Sequence, residues 1–151
     1  MTAGEGVVRR INLSRAILSF VLVAGAVVST AVDWNATHLF NPAWHPHARF
    51  HDALFLMIVN GISLLGLWLL WRRNAEPMLG VTIATLIALI IWTPFFYISL
   101  LIPGTSLYAT EDIPVLRIGN VFLPPNVIVA AVLSMLTLAA YALASHASKR
   151  T

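Results

Sequence analysis

The chain has 151 residues, 59% of them hydrophobic and only 10% charged, with a net charge of +3 and no cysteine. A soluble domain carries about 25% charged residues, so this composition excludes an ordinary soluble fold and points to one membrane-embedded domain. The missing cysteines exclude a disulfide, a thiolate nucleophile and a Cys-ligated zinc site.

Four segments, about 13–32, 53–71, 79–102 and 126–145, are long and apolar enough to cross a bilayer, which takes roughly 20 residues. No backbone crosses lipid with its polar groups unsatisfied, so each is expected to be helical. The predicted fold is all-α, an antiparallel four-helix membrane bundle capped by its two exoplasmic loops, residues 33–52 and 103–125. Span one has the basic flank, the apolar run and the Ser29/Ala31 spacing of a signal peptide, but it is long enough to be retained as a helix.

Orientation follows from the basic residues. Arg9, Arg10, Arg15, Arg72, Arg73, Lys149 and Arg150 fall on one side of a four-span layout, and only Arg49 and Arg117 on the other. Seven against two predicts cytoplasmic termini, with a bacterial inner membrane as the default setting. The same layout explains the positive charge without any nucleic-acid surface.

Local signals refine the spans. Gly25, Gly61 and Gly66 allow close helix contact, and Asn60, Ser63, Thr82, Thr85, Thr93, Ser134 and Thr137 are expected to bond to backbone or to neighbouring helices. Pro94 predicts a kink in span three, opening a space lined by Trp92, Phe95, Phe96 and Tyr97. Pro114–Ile118 and Asn120–Leu123 can pair as a hairpin across Gly119-Asn120, and Pro125 suits the first turn of span four.

The chemistry concentrates in Asp33–Asp52, DWNATHLFNPAWHPHARFHD, which holds four of the five histidines and two of the six acids. Pro46 can open the second helix, placing His47 and His51 four apart on one face. His38 and His45 come from the segment before it. His38, His45, His47 and His51 are therefore candidate ligands for a divalent transition metal: zinc, iron or copper. Glu111 and Asp112 lie on the same side of the membrane.

Without a metal, the same residues suit acid/base catalysis, with His47, His51, Asp33 and Asp52 as the catalytic candidates. Arg49, Trp34, Trp44, Trp92 and Tyr97 are candidates for holding a lipid-like or hydrophobic small molecule. A purely structural loop packed by its aromatic residues remains the third reading. Asn35-Ala36-Thr37 matches the glycosylation sequon but is read as turn chemistry, satisfying backbone where the chain leaves the helix.

The run DWNATHLFNPAWHPHARFH resembles the signature of a family of small bacterial and fungal membrane proteins of unassigned function. That resemblance implies the four-span layout and no particular reaction. A looser architectural similarity is to the EXPERA group, which includes sterol isomerases and lipid-binding receptors; its members use acids and a histidine in a cavity open to the bilayer. Two functional classes follow: a membrane enzyme acting on a hydrophobic small molecule, or a non-catalytic accessory subunit or assembly factor, which would have a membrane-complex partner or self-associate as a homo-oligomer.

Overall fold

The computed structural model describes residues 3–73, 76–108 and 115–149. The sequence breaks where its prolines and turn residues place the helix boundaries. Helix α1 runs Ala3–Asp33, α2 Pro46–Trp71, α3 Pro77–Trp92, and α5 Pro125–Ser148. Proline opens α2, α3 and α5, a position where its missing N–H costs nothing. Four helices are long and apolar enough to cross a bilayer, and the chain is an integral membrane protein. At about 1.5 Å per residue, the 31 residues of α1 extend roughly 46 Å, well beyond a 30 Å hydrocarbon core.

The helices form a ring in which α1 packs on α2 and α5, and α3 packs on α2, α5 and, across the bundle, α1. Leu18, Val21 and Leu22 of α1 meet Val59 and Leu70 of α2 and Val81, Ala84, Ala88 and Ile91 of α3 in the core. In α5 the buried residues are Ser134 and the series Ala130, Leu133, Thr137, Ala140, Ala144 and Ala147. The alternating spacing of three and four in that series is a coiled-coil seam, built here from small side chains that let the backbones approach. Much of the outer surface, including Phe20, Leu64, Leu86 and Met135, is apolar and exposed on the bundle, as a lipid-facing surface must be.

Two glycines set the closest approaches. A Cβ on Gly80 would lie 2.4 Å from the carbonyl oxygen of Leu69, so α2 and α3 touch backbone to backbone beside their connecting turn. A Cβ on Gly66 would lie 2.8 Å from Leu22 and 3.3 Å from Ile87. Gly61, expected from the sequence to serve the same purpose, faces open space. Its position on the helix turns it outward.

The polar groups at depth divide. Asn60 donates to Thr30 Oγ1 across the α1–α2 contact at 3.0 Å and to the Leu56 carbonyl at 2.8 Å. Thr93 and Thr137 donate to carbonyls one turn back, those of Leu89 and Leu133. The buried hydroxyls of Ser63, Thr85 and Ser134 have no hydrogen-bond partner. Their small size, rather than their polarity, is what the tight packing uses.

At Pro94, where the sequence predicts a kink, the regular helix is interrupted. Regular helix stops at Trp92, a 3-10 turn covers Thr93–Phe96, and a single turn, α4, covers Ile98–Leu101. Proline has no N–H to continue the ladder, and the chain tightens into the 3-10 turn. Its aromatic residues also separate instead of lining one space. Trp92 is buried in the core and stacked on Phe95 at 5.9 Å, while Phe96 and Tyr97 are exposed. Further on, β1 (Leu116–Ile118) pairs antiparallel with β2 (Val121–Leu123), Ile118 opposite Val121. The two-residue turn is Gly119-Asn120, as the sequence indicated. Gly119 alone takes a positive φ of 60° there, the type II′ pattern.

These contacts predict opposite outcomes at two glycines. Gly80→Ala should cost about 1–3 kcal/mol through overpacking against backbone. Gly61→Ala should be neutral or slightly stabilising, because alanine is the better helix former. Thermal unfolding of the two variants in detergent, followed by circular dichroism, separates them.

Candidate functional site

The end of the bundle where α1 leaves and α2 enters carries the histidines. Asp33 closes α1, and its carbonyl accepts from the backbone N–H groups of Asn35 (2.9 Å) and Leu39 (3.0 Å). Asn35 turns the chain: its Nδ2 donates to the Val32 carbonyl, and its Oδ1 accepts from the Thr37 backbone N–H at 2.8 Å. Leu39 is buried and anchors the loop. Asn41 Oδ1 then accepts from the Ala43 N–H at 2.9 Å around Pro42, the turn that Asn-Pro predicts. Trp34 and Phe40 meet edge to face at 5.7 Å.

These bonds fix the protons on His38. Because a backbone N–H can only donate, the Asn35 atom facing Thr37 must be the acceptor oxygen. The Thr37 hydroxyl, 2.6 Å from that oxygen, must therefore donate to it. Thr37 Oγ1 is then left to accept from His38 Nδ1, 2.8 Å away. In its neutral form His38 carries its proton on Nδ1, and the bare Nε2 stands 3.8 Å from Asp33 Oδ1. A ring nitrogen lone pair beside a carboxylate is attractive only when a proton sits between them, on one group or on a third one.

Asp52 lies in the second turn of α2, at the same end of the bundle. Burial is the main influence on both carboxylates, and His38 acts electrostatically on each. Both the His38 and Asp33 side chains are mostly buried, with relative exposures of 22% and 19%. Asp52 Oδ2 is buried with no hydrogen-bond partner. A buried acceptor left unpaired is costly, so this oxygen is where a donor or a cation is best received. Trp44 packs edge-on against the His38 ring at 5.7 Å and walls it on that side.

The four predicted histidine ligands separate into three settings. His38 faces Asp33. His45 caps α2, its Nδ1 accepting from the His47 backbone N–H at 3.2 Å. His47 and His51 stand on the exposed face of α2 with their Nε2 atoms 3.0 Å apart. Among the described residues, no group of three or more His, Asp or Glu side chains is gathered to hold a metal ion. Glu111 and Asp112 lie outside the described residues.

The other candidates spread out. Arg49 is partly buried on α2, Trp34 is exposed on the loop, and Tyr97 is exposed beyond the 3-10 turn. Trp92 sits deep between helices, where its Nε1 has no hydrogen-bond partner and faces Gly25. Sequence reading assigned Asn35 and Thr37 to the turn, which they form, but missed that they also set the His38 tautomer. Thr37 next to His38, two residues after Asn35, is the signal that carried this.

Residues 17–149 match the model of a family of unknown function, DUF6640, and the chain belongs to that family. The match spans the whole of the loop end, both carboxylates and all the histidines. No curated protein and no solved structure matches the chain.

The His45 cap has a measurable role. His45→Ala should destabilise the first turn of α2 by about 0.5–2 kcal/mol, as loss of other N-caps does, and His45→Asn should restore it. Hydrogen exchange at the amides of His47 and Ala48 reads the change directly.

Proposed function

We propose that Asp33, His38 and Asp52 form an acid/base site for an amphipathic, lipid-like molecule that reaches the loop end of the bundle along the bilayer. The observation that carries this reading is the bare His38 Nε2 facing Asp33, with the buried, partnerless Asp52 Oδ2 at the same end of the bundle. The 3.8 Å gap is too long for a direct hydrogen bond. A hydroxyl or similar donor standing to one side of the line between them can reach hydrogen-bond distance of both.

In that arrangement Nε2 takes the proton of the substrate's X–H group. The imidazolium so formed is held by the Asp33 carboxylate on one side and by Thr37 Oγ1 at Nδ1–H on the other. Returning the proton to the product restores the neutral ring. Asp52 Oδ2 receives a second donor of the substrate and orients it. The roles follow the logic of a histidine general base positioned by a carboxylate. A half-buried site at the end of membrane helices favours a substrate with an apolar tail and a polar head. The seven-to-two distribution of basic residues supports an exoplasmic loop end and cytoplasmic termini.

Incubating the protein in bilayers with total lipid extract, and following the mixture by mass spectrometry, tests this. Wild type should convert at least one component. His38→Gln should slow that conversion by about 10²–10⁴-fold, the usual contribution of a general base, and Asp52→Asn should weaken it too, with both variants folded. Conversion at an unchanged rate in His38→Gln, or none in wild type, would overturn the reading.

A further inference from the structure

We propose that His47 and His51 form a second, separate site: a two-imidazole chelate for one divalent transition-metal ion on the exposed face of α2. The two Nε2 atoms are 3.0 Å apart. With metal–nitrogen bonds of 2.0–2.1 Å, cis ligands lie about 2.8–3.0 Å apart in a square plane and about 3.3–3.4 Å apart in a tetrahedron. The observed separation fits the first range and falls a few tenths of an ångström short of the second. Little movement is needed to place one ion on both nitrogens.

The rings are also held in position. Phe50 lies parallel to His47 at 6.1 Å and edge-on to His51 at 5.6 Å, so one side chain backs both. The helix beneath them is fixed from its first residue by Pro46 and by the His45 cap, so the pair is set on a rigid turn. Asp52, one residue on from His51, is rotated about 100° round the helix and is partly buried. The two sites therefore use different side chains.

The proton balance is simple. Two neutral rings sharing one Nε2–H bond cannot both offer lone pairs. When the ion binds, that ring's proton moves from Nε2 to Nδ1 through solvent, and both Nε2 atoms coordinate. No net proton is released from neutral rings, and acid opposes binding because protonated imidazole is no ligand. With two protein ligands the remaining coordination positions stay open to water or to a small molecule. Among divalent ions of this class Cu²⁺ binds nitrogen sites most tightly, which makes it the probe of choice.

The test is titration of the purified full-length protein, in chelator-free detergent, with Cu²⁺ alone. Electron paramagnetic resonance should show one ion per chain with hyperfine structure from two equivalent nitrogens, displaced by excess Zn²⁺. Removing a direct ligand should cost at least the roughly tenfold to hundredfold that outer-shell changes cost, so His47→Gln and His51→Gln should each weaken binding by that much. His51→Asp, which keeps a ligand, should recover part of it, and His38→Gln should bind like wild type. Absence of bound Cu²⁺ in wild type, or binding lost in His38→Gln but kept in His51→Gln, would overturn the proposal.

Discussion

A helix that ends at the edge of a bilayer must hand its last carbonyls to something other than lipid. In this chain one carboxamide, Asn35, does that and more. Its Nδ2 takes the Val32 carbonyl, and its Oδ1 turns the backbone at Thr37 and fixes the direction of the Thr37 hydroxyl. Through Thr37 the same group decides which nitrogen of His38 carries the proton. The need to close a helix and the chemistry of the histidine are thus joined in four consecutive residues, 35 to 38.

The bundle below supplies the rigidity this arrangement needs. Asn60 ties α2 to Thr30 of α1 one turn before Asp33, and Gly66 lets Leu22 and Ile87 close over α2 further down. The small-residue seam of α5 then seats α1, the longest helix, along its length. Asp33 and Asp52 come from two different helices, placed at the same end of the bundle by that packing. Carboxylates at a partly dry helix end are unfavourable on their own, and His38 offsets them once its ring takes up a second proton at Nε2.

Much of this was legible in the sequence, and the limits are instructive. Charge depletion and four apolar runs are enough for the membrane fold, because lipid leaves the backbone no alternative to helix. Prolines at 46, 77, 94 and 125 stand at helix starts or in the 3-10 turn. The outcome at Pro94 was less legible, because a proline that ends a helix and one that bends it look alike until neighbouring packing is known. Gly80 escaped notice and Gly61 attracted it, since which side of a helix meets a partner depends on rotation about its axis. The histidine-rich stretch announced itself, yet residue type alone grouped all four histidines together. The turn at Asn41-Pro42 and the start of α2 at Pro46 distribute them to different faces. Only the hydrogen-bond directions distinguish the capping histidine, the proton-sharing histidine and the exposed pair.

The most direct test of the central claim is the tautomer of His38, read from ring nitrogen-15 shifts and couplings in the detergent-solubilised protein at neutral pH. A proton on Nδ1 in wild type, with that preference lost in Thr37→Val and kept in Thr37→Ser, is the predicted result. A wild-type ring protonated on Nε2 alone, or a Thr37→Val spectrum identical to wild type, would contradict it.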